Sequence, residues 1–122
     1  MSKLIIFVED EPALQKVLGA TLEQSGYEVK SAFDGQSGLA LIKQFKPAMV
    51  LLDLILPKKD GFEVLQEIKN DPETKDIPVI VLTNLESPHD VEKAIKLGAT
   101  TYLVKANYEL HEVMEKIKEL VK

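Results

Sequence analysis

Asp53 is the only charged residue in the run Ala48-Met49-Val50-Leu51-Leu52-Asp53-Leu54-Ile55-Leu56, which has the length and residue types of a strand covered on both faces. Burying an unpaired charge costs several kcal/mol, so this carboxylate must sit at the strand's exit, or be held by a cation, or both. Two more acids, Glu9 and Asp10, directly follow a second apolar run, Leu4-Ile5-Ile6-Phe7-Val8, while Thr83 and Lys105 end later ones. Three converging carboxylates with no His or Cys nearby make a hard, all-oxygen environment that suits Mg²⁺ or Mn²⁺ over zinc or copper. Such an ion keeps several waters and completes its shell with a phosphate oxygen. Lys105 supplies a positive charge for that phosphate, and the Thr83 hydroxyl a hydrogen-bond donor. In this setting Asp53 is a nucleophile that forms an acyl phosphate.

These side chains meet only if the runs that carry them are neighbouring strands. Apolar runs of strand length recur, each followed by a segment of helical period, which is the pattern of βαβ units around a parallel sheet. Strands are expected at Leu4 to Val8, Glu28 to Ala32, Val50 to Asp53, Val79 to Leu82 and Tyr102 to Val104. Helices are expected from Pro12 to Ser25, Gly35 to Phe45, Asp60-Gly61 to about Asn70, Ser87-Pro88 to Gly98, and Tyr108 to Lys122, with Pro near starts and Gly past ends. Five strands and five helices give an α/β, doubly wound parallel sheet with helices on both faces. Ligands of such sheets collect beyond the carboxyl ends of the strands, where the strand order reverses, and Glu9, Asp10, Asp53, Thr83 and Lys105 are all expected there.

The chain has 122 residues, the size of one domain, and no repeat, low-complexity tract or linker divides residues 1–122. With no second domain among them, these residues are expected either to work alone or to be a piece of a longer protein. A hydrophobic content of 45% and a charged content of 29% place the chain among globular proteins. A net charge of −5 disfavours polyanionic partners, and all fifteen basic residues are lysines, so the planar fork that arginine brings to phosphates and base edges is missing. Direct nucleic-acid binding is therefore not expected. The absence of cysteine excludes disulfides and thiolate metal sites. No apolar run is long enough to span a membrane, and Met1-Ser2-Lys3 lacks the features of a signal peptide, so the cytoplasm is the expected compartment.

The motifs Val8-Glu9-Asp10-Glu11, Leu52-Asp53-Leu54-Ile55-Leu56-Pro57-Lys58-Lys59-Asp60-Gly61, Leu82-Thr83, Leu97-Gly98-Ala99 and Tyr102-Leu103-Val104-Lys105 occur in an order and at spacings that resemble the receiver domain of bacterial two-component response regulators, over essentially the whole chain. The resemblance implies a flavodoxin-like (βα)5 fold with strand order 2-1-3-4-5. It implies that Asp53 accepts a phosphoryl group from a phosphohistidine on a sensor histidine kinase or phosphotransfer protein. Mg²⁺ (or Mn²⁺) would be held by Glu9, Asp10, Asp53 and the backbone carbonyl of Ile55. The new group adds roughly 1.5 to 2 negative charges, which the metal and Lys105 balance. Thr83 is then drawn toward the phosphoryl, and Tyr102 turns inward into the space it leaves. The face made by the fourth helix, fifth strand and fifth helix changes shape and binds a downstream protein, with the chain a monomer or a phosphorylation-dependent dimer. A receiver is a signalling switch and not an enzyme in the usual sense: it catalyses only its own phosphorylation and slow dephosphorylation.

Five positions depart from the family pattern. Receivers usually carry a cis-bonded proline after the active-site lysine, and here Ala106 follows Lys105; since a cis bond to a non-proline residue costs about 2.5 to 4 kcal/mol, a trans bond is expected, with the next loop displaced and more mobile. Glu9 stands where many members have Asp, and its longer arm leaves direct coordination open. Ile55 and Leu85 flank the path of the attacking water and cannot orient it, so self-dephosphorylation is expected to be slow. Asn84 replaces a commonly small residue and is expected to cover part of the pocket.

Each residue also has an ordinary structural use. Asp53 can cap a turn, Glu9-Asp10-Glu11 can favour a helix N-terminus through its dipole, and Thr83 can begin a helix. Lys105 can be a solvated lysine and Tyr102 a β-former at a sheet edge. Asp34-Gly35 and Asp60-Gly61 read as turn or helix-start chemistry, Lys58-Lys59 as a solvated loop pair, the alternating charges of Glu109 to Lys122 as an exposed helix face, and His89 and His111 as residues without ligand companions. Three other functions are weighed. A flavodoxin-like cofactor module needs small and hydroxyl residues after the first strand, where Glu9-Asp10-Glu11 would repel phosphate. An aspartyl phosphatase has a second acid two residues after its nucleophile, where this chain has Ile55. A degenerate receiver acting as an unphosphorylated scaffold is disfavoured by the acids and Lys105 and left open by Ala106.

Overall fold

The computed structural model describes residues 2–121. The expected domain bounds at Met1 and Lys122, and the expected end of the last helix at Lys122, lie outside the described residues. In chain order the elements are β1 (Leu4–Val8), α1 (Pro12–Gln24), β2 (Glu28–Ala32), α2 (Gly35–Phe45), β3 (Met49–Leu52), α3 (Gly61–Asn70), β4 (Val79–Thr83), α4 (Pro88–Leu97), β5 (Thr101–Val104), a short 3₁₀ turn (Lys105–Asn107) and α5 (Leu110–Leu120). The strands form one parallel sheet in the order β2-β1-β3-β4-β5, the flavodoxin-like order that the resemblance implied.

Alternation along each strand sends side chains to two separate cores. Ile5 and Phe7 of β1 pack with Leu18 and Leu22 of α1 and Val113, Met114 and Ile117 of α5. Ile6 and Val8 point the other way, onto Leu39 and Ile42 of α2, Val64, Leu65 and Ile68 of α3, and Ala94 of α4. Because both faces are covered, β1, β3 and β4 are apolar but for Thr83 at the end of β4, and every residue of β3 and β4 is buried. A fully buried Val, Leu or Ile contributes roughly 1.5 to 3 kcal/mol, so these strands anchor the carboxyl ends that follow them.

Helix limits follow from local capping. The side chains of Asp34, Asp60 and Ser87 accept the N–H groups of Ser37, Glu63 and Asp90 and start α2, α3 and α4, which is the structural use expected of Asp34 and Asp60. Gly98, at φ 111°, ends α4 in the left-handed conformation that a side chain disfavours. At the far side of the sheet, the Tyr27 hydroxyl donates to the Val121 carbonyl at 2.8 Å and ties the end of α5 to the start of β2. Several limits differ from expectation: α1 ends at Gln24, β3 begins at Met49 and β5 at Thr101, and three more bear on the site. β3 stops at Leu52, with Asp53 just beyond it; β4 continues through Thr83; and α5 starts at Leu110 instead of Tyr108, because Lys105–Asn107 takes up a 3₁₀ turn first. α5 then begins on a capping box in which Glu109 and Glu112 satisfy each other's backbone N–H. Among the described residues, no helix is long and apolar enough to cross a membrane.

Candidate functional site

The carboxyl ends of β1 and β3 lie side by side, in register Val8 to Leu52, so the residues that follow each strand leave the sheet together. Asp53 keeps one link to the ladder, its N–H donating to the Val8 carbonyl at 3.0 Å. Its position is also fixed from α3. A Cβ on Gly61 would stand 2.3 Å from the Asp53 carbonyl oxygen and 2.4 Å from the Leu54 Cα, so only glycine lets α3 approach the acid this closely. Asp53 Oδ1 accepts the Ile55 N–H at 3.2 Å, which folds the chain back just after the strand.

Glu9 is held at least as tightly. Its N–H donates to the Ala32 carbonyl at 3.0 Å, and its Oε2 accepts the Glu11 N–H at 3.1 Å. Its own carbonyl, with those of Phe7 and Ala32, accepts from the Gln15 side-chain amide at 3.1, 3.0 and 2.9 Å respectively. Glu9 and Asp53 are 1% and 4% exposed, whereas Asp10 faces solvent. Carboxylate oxygens of Glu9, Asp10 and Asp53 all lie within 4.8 Å of one another, and Asp10 is the side open to water.

Lys105 crosses from the end of β5 into this cluster. Its Nζ is 3.0 Å from Asp53 Oδ2, in a hydrogen bond, and 2.8 Å from Glu9 Oε1. The contact with Glu9 Oε1 is an ion pair between a buried carboxylate and a half-buried ammonium. One ammonium shared by two buried acids cannot neutralise both. Burial therefore pushes the Glu9 carboxyl up to about 7, with Lys105 opposing and the charge of Asp53 adding to the shift. For Lys105, burial pulls the ammonium down, but Glu9 and Asp53 outweigh it and hold the group above the ordinary lysine value. The cluster is thus short of positive charge and rich in oxygen donors, and it fits a small hard cation.

Thr83 is fully buried at the end of β4, its Oγ1 accepting the Leu85 N–H at a long 3.4 Å. Tyr102, half-buried against the α2–α4 core, donates its hydroxyl to the Leu85 carbonyl at 2.8 Å. Burial, then Asp90 and Asp53, raise the phenol above its ordinary value, so the group remains a donor. The main chain of Leu85 thereby links both predicted switch residues, which the apolar type of that residue gave no reason to expect. Ile55 leaves its side chain 51% exposed at the mouth of the site. Asn84 is exposed and lines, with Lys105, Ala106 and Glu11, a groove of about 530 Å³ that runs between α1 and α5, beside Asp53 and not over it. All peptide bonds among the described residues are trans, Lys105-Ala106 included, as expected.

Outside the site, Lys59 is not simply solvated, because Glu67 of α3 pairs with it. His111 has a carboxylate neighbour, Glu109, at 3.4 Å, while His89 is exposed. Gln15 is the buried residue whose place beside the acids sequence reasoning missed.

Residues 5–118 match the family model described as the response regulator receiver domain. Among curated proteins, the chain is 38% identical over 118 residues to the DNA-binding dual master transcriptional regulator RpaA of Synechocystis, across 97% of this chain and 48% of that protein. The chain spans about half or less of the length of the curated relatives it matches. Among solved structures, a CheY-like response regulator receiver domain protein from Methanospirillum hungatei superposes with a TM-score of 0.90 at 29% identity, covering 98% of this chain and 93% of that one. The receiver domain of the sensor histidine kinase PA1611 from Pseudomonas aeruginosa, with a magnesium ion coordinated in its active site cleft, superposes with a TM-score of 0.88 at 28% identity, over 98% of each chain.

Proposed function

This chain belongs to the receiver domains of response regulators, and from that premise we propose that Asp53 is its phosphoacceptor, with Glu9, Asp10, Asp53 and the Ile55 carbonyl as the ligands of Mg²⁺. Receivers of this family are signalling domains that act with histidine kinases and switch on phosphorylation. The observation that carries the residue assignment is the bridge from Lys105 Nζ to both Glu9 and Asp53 inside a buried acid cluster. A cation is needed there to keep the acids ionised together, and a second one is needed when phosphate arrives. Mn²⁺ has the same ligand preferences.

In the reaction, a carboxylate oxygen of Asp53 bonds to phosphorus as the P–N bond of a phosphohistidine breaks. The histidine leaves with the electron pair and takes up a proton, and Asp53 carries an acyl phosphate. The metal, when bound, shields the phosphoryl oxygens from the carboxylates. Lys105 turns from Glu9 to a phosphoryl oxygen, and the Thr83 hydroxyl turns from the Leu85 N–H to another. That rotation frees the Leu85 N–H and loosens the residue whose carbonyl, in the next peptide, holds Tyr102. The α4–β5–α5 face then shifts its population toward a form that binds a downstream protein. We read the described residues as one receiver domain that works in the cytoplasm, as a monomer or a phosphorylation-dependent dimer.

Incubation with Mg²⁺ and acetyl phosphate, followed by intact mass measurement, tests this directly. One phosphoryl adduct is expected, absent with a chelator and absent in Asp53→Asn. No adduct on the folded wild-type chain supports the scaffold function instead, and an adduct that persists in Asp53→Asn places the acceptor elsewhere. The apolar Ile55 and Leu85 beside the acceptor support slow hydrolysis of the acyl phosphate. Ile55→Asn or Leu85→Glu is expected to speed it, and hydrolysis that slows in either would overturn that part.

A further inference from the structure

The buried face of α1 is built from Gln15, Leu18, Gly19 and Leu22, a stripe at helical spacing in which Gln15 is the polar member. An apolar residue would suit that stripe, and Gln15 is 6% exposed. Its Nε2 instead reaches three carbonyls: Phe7 in β1, Glu9 just past β1, and Ala32 at the end of β2. The amide has two protons for these three acceptors, so its orientation is fixed; turned over, it would aim an oxygen at all three. The price of this arrangement is Oε1, which is buried and has no hydrogen-bond partner among the described residues. What holds this polar side chain in an otherwise apolar stripe is the set of three carbonyls its donors reach.

We propose that Gln15 is a positioning residue for the metal ligands, a role that rests on the receiver reading above. Its amide fixes the peptide between Glu9 and Asp10 by gripping the Glu9 carbonyl, while Ala32 holds the Glu9 N–H from the other side. The same amide ties that peptide to the ends of two strands. With the main chain clamped at both ends of residue 9, the longer glutamate arm is left only its side-chain torsions, and these are closed by the Glu11 N–H and Lys105. Gln15 itself contacts neither metal nor phosphate. It acts through the backbone, as an outer-shell group that orients a ligand.

The test uses Gln15→Met, which keeps the length and removes both donors, and Gln15→Asn, which keeps the amide but withdraws it from part of its reach. Mg²⁺ is titrated by calorimetry into the metal-free folded chain, and amide hydrogen exchange is followed without metal. Gln15→Met is expected to weaken Mg²⁺ binding by about tenfold, the usual effect of losing an outer-shell partner, and Gln15→Asn to weaken it less. The Glu9 amide is expected to exchange faster in Gln15→Met while core amides such as that of Val50 keep their protection. Labelling by acetyl phosphate is expected to recover at saturating Mg²⁺, with the half-maximal Mg²⁺ concentration raised. A merely structural Gln15 would lower overall stability and leave both Mg²⁺ affinity and the relative protection of Glu9 unchanged, and that result overturns the inference. Should Gln15→Met not fold, Gln15→Asn carries the same two readouts. A wild-type chain that binds no Mg²⁺ overturns the receiver reading and this inference with it, whereas a wild type that binds and variants that bind as tightly overturn this inference alone.

Discussion

The two halves of the carboxyl edge are built differently. At β1 and β3 each acid is gripped in main chain and side chain: Glu9 by Ala32 and Gln15 on its backbone and Glu11 on its carboxylate, and Asp53 by Val8 and the close approach of Gly61 on its backbone and Ile55 on its carboxylate. At β4 and β5, apart from Lys105, which reaches across to the acids, Thr83 and Tyr102 are linked through one residue, Leu85, by a long bond from its N–H to Thr83 and a single phenol contact to its carbonyl, in a loop whose Asn84, Glu86 and Ser87 are exposed. Local opening needs little free energy where few bonds and little burial hold a segment. The half proposed to carry the chemistry is therefore preorganised, and the half proposed to respond is held by fewer bonds.

The sharpest way to break this contrast is Gly61→Ala. A methyl group would collide with backbone at Asp53 and Leu54, and we expect a loss of about 3 kcal/mol in denaturant unfolding, at the upper end of overpacking effects. A much smaller loss would mean that the acid half yields as readily as the switch half. Next comes the response to pH. The Glu9 carboxyl titrates at about 7 in the folded metal-free chain, above its unfolded value of 4.5, so its contribution to stability is complete below 4.5 and is lost as pH rises through 7. Mg²⁺ needs the ionised form. Its apparent affinity should therefore fall by up to about tenfold per pH unit below 7, and calorimetric titrations at pH 6 and 8 would check this. A pH-independent affinity would remove Glu9 from the ligand set.

On the responding side, Tyr102→Phe removes one neutral hydrogen bond and should lower stability by about 1 kcal/mol, with faster hydrogen exchange at residues 84–86 and an unchanged rate of acetyl phosphate labelling. Slower labelling would show that the two halves are coupled already before phosphate arrives. The smallest effect is expected of Thr83→Val, about 0.5 kcal/mol in unfolding, because the bond lost is long; phosphorylation should persist while the phosphorylation-dependent spectral change at Leu85 and Tyr102 disappears.

How far this site can be read in the sequence depends on what kind of group does the work. Asp53, Glu9, Thr83 and Lys105 stand out because each is polar at the edge of an apolar run, and burial rules make such residues conspicuous. Helix limits set by Asp34, Asp60, Ser87 and Gly98 were legible for the same reason, since side-chain type fixes the cap. Leu85 was invisible as a link because it contributes a backbone N–H and a backbone carbonyl, which nearly any residue would supply. Gln15 carried a signal, a polar member in the stripe with Leu18 and Leu22, but that stripe becomes informative only once the sheet shows which strand ends it faces. The slip at the start of α5 arose because Lys105-Ala106-Asn107 contains neither Gly nor Pro to mark a turn, and the Glu109 and Glu112 pair that caps the true start was read only as part of a charged face.

The bond from Tyr27 to Val121 has a consequence for any longer chain that contains this domain. It pins the exit of α5 beside the first residues of β2, at the pole of the molecule opposite the acids. A module attached after Val121 would be tethered far from the phosphate, so its state could follow the signal only through rearrangement of the domain's flank, and not by the tether itself being pulled.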